Sequence, residues 1–183
     1  MPSIFNFFFP KDKELFKTIF VLATPVIISN ISRVLMGVID MAMIGHLGGS
    51  AIAAVGMAGM VTWTVMSLGI AFRTGTQTIV SRRLGQKLYD QCGLAMRNMQ
   101  FFGLLIGIPV TIITYINTYF IMSFFIDNST DAFRLCIDYA KYGFLGTYFI
   151  YITFIFQGFY TGIEETKIHM KTTIAANILN LYL

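Results

Sequence analysis

Asn30, Arg33, Gly37 and Asp40 lie three, four and three residues apart in a stretch otherwise almost free of charge. At 3.6 residues per turn that spacing puts all four on one face of a helix, with Ile27, Ile31, Val34 and Val38 opposite. Ionisable side chains inside a bilayer are costly, so they normally face a bundle interior or a water-filled cavity and mark ion or substrate paths. Asp40 precedes Gly45 by five residues, about 7 Å along a helix axis. Two readings are open for it. As a cation or proton site, it is a carboxylate kept in a low-dielectric cavity. As a structural residue, it pairs with a neighbour such as Arg33. Seven residues, about 10 Å of axis, separate those two, so the pair needs a long reach from the guanidinium.

A second polar stripe runs through Tyr139, Tyr142, Gly146, Thr153, Gln157 and Tyr160. Its hydroxyls and amide suit either the same cavity or contacts with neighbouring helices. Asn30, Arg33, Gly37 and Gln157 are the expected cavity-lining residues. There is no HExxH, GxSxG or P-loop. His46 and His169 fall at opposite membrane faces, so they share no metal, and each is expected to be an interface residue. The chain is therefore read as a non-enzyme without a cofactor.

The elements that carry these residues are read from charge spacing. Residues 41–72, 98–126 and 142–163 contain no Asp, Glu, Lys or Arg, and each exceeds the roughly 20 residues of a span. Thr18–Ile44 is interrupted only by Arg33 and Asp40. With 56% hydrophobic and 12% charged residues, against roughly 25% charged in soluble domains, the chain takes lipid as its solvent. The fold expected is an all-α polytopic bundle. Its helices run Leu15–Ile44, Ser50–Leu84, Leu94–Phe125, Ala132–Tyr160 and from Thr166 onward. The last stops at Leu183, twelve residues after Lys171, too short to cross. That reads as a chain cut inside a span. Residues 1–14 form a cytoplasmic, interfacial segment, with the Phe side chains dipping into the headgroups and Lys facing out. Residues 15–183 form a partial lobe, four helices complete and the fifth truncated.

Basic residues alternate across the spans. Ten fall on one side (Lys11, Lys13, Lys17, Arg73, Arg82, Arg83, Lys87, Arg97, Lys167 and Lys171), against Arg134 and Lys141 on the other. By the positive-inside rule the N-terminus is cytoplasmic and the protein sits in the plasma (inner) membrane. Because these residues sit between spans, the net charge of +4 is not a nucleic-acid surface. Cys92 and Cys136 fall on opposite faces and cannot pair. Small residues crowd Ala51–Gly59, and Gly103 and Gly107 form a GxxxG. Both suit close helix packing. Pro25 is expected to bend the first helix.

Four stretches, in order, resemble the multidrug and toxic compound extrusion (MATE) transporters, nearest the DNA-damage-inducible-type bacterial branch. They are Ala23-Thr-Pro-Val-Ile-Ile-Ser-Asn30 running to Val38-Ile-Asp-Met-Ala-Met-Ile-Gly-His-Leu-Gly48, Ala51-Ile-Ala-Ala-Val-Gly56, Gly75-Thr-Gln-Thr-Ile-Val-Ser-Arg-Arg-Leu-Gly85, and Gly158–Lys167 leading into Asn177-Ile-Leu-Asn180. The resemblance implies twelve helices in two six-helix lobes, with about five helices of the first lobe present and the C-terminal lobe missing. It implies export of organic cations or amphipathic drugs against H+ or Na+. Asp40 falls on the family's first-helix acidic residue, and Tyr139 and Asn180 on positions resembling the same cation site, where Na+ would sit between Asp40 and Asn180. A further acidic partner one turn on would be residue 184. Two departures stand out: Glu164-Glu165-Thr166-Lys-Ile-His169 replaces a usual Gly-Asp-Thr with nearby proline, and Arg33 alters the cavity's charge. A flippase for lipid-linked oligosaccharides and a non-transporting membrane scaffold subunit are the alternatives.

Overall fold

The structure, a computed structural model, describes residues 13–182. All but the last two residues of the expected interfacial segment 1–14 lie outside the described residues. Among the described residues every regular element is a helix. In chain order these are α1 (Lys13–Gly45), α2 (Gly49–Met66), α3 (Leu68–Gly85), α4 (Tyr89–Ile116), α5 (Thr118–Ser123), α6 (Asp131–Gly162) and α7 (Thr166–Tyr182).

Three stretches are long and apolar enough to cross a membrane by length and composition: Glu14–Gly45, Gly49–Gly85 and Tyr89–Ile116. The second contains a break that hydropathy does not reveal. One expected helix becomes two, α2 and α3, parted at Ser67, whose Oγ donates to the Thr64 carbonyl at 2.7 Å. The expected third helix is likewise divided at Asn117 into α4 and α5. Hydroxyls along the helices donate to the carbonyl four residues back, as Thr24 does to Phe20 (2.7 Å), Thr62 to Ala58 (2.7 Å) and Thr64 to Met60 (2.9 Å). In lipid a polar group finds no water, and this local bond lets Ser and Thr sit inside a span.

The chain forms two compact units. The first comprises described residues 13–36 and 164–182. Within it Pro25 is buried in a continuous α1, and the buried Ser29 hydroxyl donates to the Pro25 carbonyl at 2.8 Å. Asn177 Nδ2 donates to Ser32 Oγ at 2.7 Å and ties α7 to α1. His169 is buried, with Nδ1 3.3 Å from Thr173 Oγ1, so it is a packed side chain, not the interface residue expected.

The second unit, Gly37–Ile163, is organised around α6. Phe133, Cys136, Ala140, Phe144, Thr147, Tyr151, Phe154, Gly158 and Gly162 are buried along it at spacings of three and four. Helices α2, α3 and α4 all pack on this helix. Glycines set the approach. An added Cβ at Gly103 would stand 2.6 Å from Ile155 Cδ1, and one at Gly107 3.1 Å from the Tyr151 ring. The GxxxG is thus a packing surface for α6. Gly69 faces the Phe154 and Tyr151 rings, and Gly158 faces the Arg73 backbone. At the α2/α3 break, the buried Tyr151 hydroxyl donates to the Val65 carbonyl at 2.7 Å. Between α5 and α6, the Asp127 carboxylate accepts the Ser129 N–H (2.9 Å) and hydroxyl (2.8 Å), and these bonds hold its pKa below the usual carboxylate value. Cys92 and Cys136 are both buried free thiols.

Candidate functional site

Within the second unit, a cavity of about 400 Å³ opens between the last turns of α1, one face of α2, and α6. That volume lies in the roughly 300–1,000 Å³ range of small-molecule pockets. Gly37, Asp40, Met41 and Ile44 come from α1, Val55, Gly56, Gly59, Met60 and Trp63 from α2, and Tyr139 from α6. The helical repeat explains the selection. Positions 37, 40, 41 and 44 share one face of α1, and 56, 59, 60 and 63 share one face of α2.

Glycine makes the space. A Cβ built on Gly37, Gly56 or Gly59 meets nothing within 4 Å. The interleaved alanines do the opposite: Ala51, Ala54 and Ala58 are buried, the last two in a cluster with Phe133, Cys136, Ala140 and Phe144. The small-residue run Ala51–Gly59 therefore serves two faces of one helix. Ala54 and Ala58 pack against α6, and its glycines hollow the cavity.

Asp40 is half-buried on the cavity wall and, among the described residues, has neither a hydrogen bond nor an ion pair. Its surroundings are mostly apolar, so the carboxylate is the one formal charge of the lining. Tyr139 and Trp63 supply aromatic faces, a chemistry suited to cations. One anion, two rings and otherwise apolar walls are the chemistry that suits a cation, inorganic at the carboxylate or organic with an apolar body.

The structure thus brings together Asp40, Gly37 and Tyr139 of the expected set. Asn30, Arg33 and Asn180 belong to the first unit, where Asn30 and Asn180 are exposed and Arg33 is half-buried. Gln157 is not among the residues lining this cavity; it is buried on α6, with Oε1 lacking a hydrogen-bond partner among the described residues. The polar stripe it was assigned to divides, because Tyr139 reaches the cavity while Tyr142 is 79% exposed elsewhere. The opposite face of α1 is as expected, with Ile27, Ile31, Val34 and Val38 all exposed. Trp63, Met41 and Met60 were missed. The only tryptophan in the chain, placed one turn from Gly59, was the available signal.

The family model described as MatE matches residues 25–183, most of the chain and every residue of the cavity. The chain belongs to the MatE family. Among its relatives, a probable multidrug resistance protein NorM of Thermotoga maritima is 25% identical over 99% of this chain. A multidrug export protein MepA of Staphylococcus saprophyticus is 28% identical over 97%. The chain spans 39% of the length of each. Among solved structures, a MOP superfamily transporter from Pyrococcus furiosus superposes with a TM-score of 0.86 at 22% identity, over 91% of this chain and 37% of that one. An outward-facing multidrug resistance MATE family transporter gives the same TM-score, identity and coverage. This MatE-family chain is therefore a membrane protein, helical throughout its regular elements among the described residues, with the fold of part of those transporters.

Proposed function

We propose that the chain is the N-terminal part of a secondary antiporter that exports organic cations or amphipathic drugs in exchange for H+ or Na+. The observation that carries this reading is the Asp40 carboxylate, unpaired among the described residues, on the same largely apolar cavity wall as Tyr139. An inward-moving ion and an outward-moving cation compete for one negative charge. The ion's binding to one conformation biases the equilibrium between inward-open and outward-open states. Tyr139 shares the coupling cavity with Asp40. The charge pattern supports a cytoplasmic N-terminus in the plasma (inner) membrane, with residues 15–183 contributing about five helices of a lobe that works against a C-terminal lobe.

A flippase for pyrophosphate-linked sugars needs a cationic cavity, and this wall carries a carboxylate and no Lys or Arg. A scaffold needs no cavity.

The test uses the full-length transporter in proteoliposomes, with ethidium efflux driven by an imposed proton or sodium gradient. Asp40→Asn should abolish efflux under either gradient while leaving membrane insertion intact. Wild-type rates from that variant would refute the coupling role. Comparing the two gradients on the wild-type protein identifies the ion.

A further inference from the structure

A second concavity lies away from the cavity, between α4 and α6. It has a volume of about 430 Å³ and is lined by Tyr115, Asp138, Lys141, Tyr142 and Leu145. Its depth in the bilayer follows from the sequence. Lys141 is the last charge before the uncharged run 142–163. Tyr115 is 17 residues beyond Asn98, where the uncharged run of α4 begins, or about 26 Å along a helix axis. The hydrocarbon core is about 30 Å thick, so the groove straddles its boundary with the headgroups. Helices α4 and α6 run antiparallel here, since Gly107 meets Tyr148 and Gly103 meets Ile155. Both tyrosines are therefore at the same boundary, where aromatic rings with a polar tip are favoured.

The charges of the groove are unusual for a headgroup-level surface. Asp138 and Lys141 are three residues apart on one helix, both exposed, and among the described residues they pair neither with each other nor with anything else. Below them the apolar Leu145 and Phe149 are 54% and 69% exposed.

We infer that this groove binds the headgroup of a zwitterionic, ethanolamine-type phospholipid. Lys141 receives the phosphate, Asp138 accepts hydrogen bonds from the ammonium, and the rings of Tyr115 and Tyr142 flank the glycerol level. The acyl chains descend past Leu145 and Phe149. The charge pattern selects against alternatives. An anionic glycerol headgroup or free phosphate meets the Asp138 carboxylate without an ammonium to neutralise it. A choline headgroup has no N–H to donate to that carboxylate. The site requires that the chain spans a bilayer and takes nothing from Asp40, so it stands or falls apart from the antiport reading.

Native mass spectrometry of the full-length protein, titrated with phosphatidylethanolamine, phosphatidylcholine and phosphatidylglycerol of matched chains, tests it. The wild-type protein should retain phosphatidylethanolamine about tenfold more tightly than the other two, the scale of one charge-assisted hydrogen bond. Asp138→Asn should erase that preference, and Lys141→Gln should weaken all three lipids. Equal binding of the three lipids, preference for phosphatidylglycerol, competition by inorganic phosphate, or an unchanged preference in Asp138→Asn each overturns the proposal. A photoreactive benzophenone side chain in place of Tyr142 gives a readout that leaves both charges intact. In vesicles of mixed lipids it should form adducts enriched in phosphatidylethanolamine. Adducts in proportion to bulk composition, or none because other helices cover the groove, equally overturn it.

Discussion

Replacing Gly158 by alanine should separate α3 from α6. The Cβ of an alanine there would stand 3.1 Å from both the Cα and the carbonyl carbon of Arg73, and closer still to its carbonyl oxygen. Carbon atoms prefer about 3.5–4.0 Å, so the backbones must part by roughly 0.4–0.9 Å, and more at the oxygen. The obstacle is backbone on both sides, so no side-chain rotation relieves it. A gap of about 0.5–1 Å forfeits a quarter to a half of each contact's attraction along the seam. Overpacking of this kind costs roughly 1–3 kcal/mol, and Gly158→Ala belongs at the top of that range. Gly146 on the same helix is the control: a Cβ there meets nothing within 4 Å. Gly146→Ala should be neutral or gain up to about 1 kcal/mol from helix propensity. The buried thiols of Cys92 and Cys136 allow thermal unfolding of the full-length protein in detergent to be followed with a thiol-reactive dye. Gly158→Ala should unfold several degrees below wild type. Equal melting of Gly158→Ala and wild type, or equal losses for the two variants, would show that the α3–α6 seam is not limited by backbone contact.

Three further outcomes follow from the same geometry. Tyr151→Phe removes the hydroxyl bonded to the Val65 carbonyl at the α2/α3 break and should cost about 0.5–1.5 kcal/mol in the same assay; an unchanged melt means the break closes its own hydrogen bonds. Gln157→Leu replaces a buried amide whose Oε1 lacks a partner among the described residues. Since an unsatisfied buried group costs roughly 1–3 kcal/mol, this variant should melt at or above wild type, and a clear drop would reveal an unseen partner. Tyr139→Phe keeps the ring on the cavity wall but removes its oxygen, and should weaken cation coupling in proteoliposomes by about tenfold, or 1.4 kcal/mol. Undiminished coupling would reduce Tyr139 to a wall residue.

Membrane residence and the helical class were legible in the residues. The reason is local: hydropathy and charge spacing report how each segment meets lipid, whatever its neighbours. Of the stripe Asn30, Arg33, Gly37 and Asp40, the cavity wall takes Gly37 and Asp40. The breaks at Ser67 and Asn117 were not legible, since a local irregularity in the hydrogen-bond ladder leaves hydropathy unchanged. Nor was the buried face of α6. A helix surface packed on another helix is no more apolar than one facing acyl chains, so composition cannot tell them apart.

The sequence by itself determined that these segments are helices in a bilayer and that Asp40 needs a polar outlet. Tertiary structure alone decided that Tyr139 lines a cavity with Asp40, that Gln157 is not in that lining, and that glycines 56 and 59 open the cavity while alanines 54 and 58 fill a core. Those outcomes depend on which helix lies opposite, and a side chain's own chemistry does not specify its neighbour.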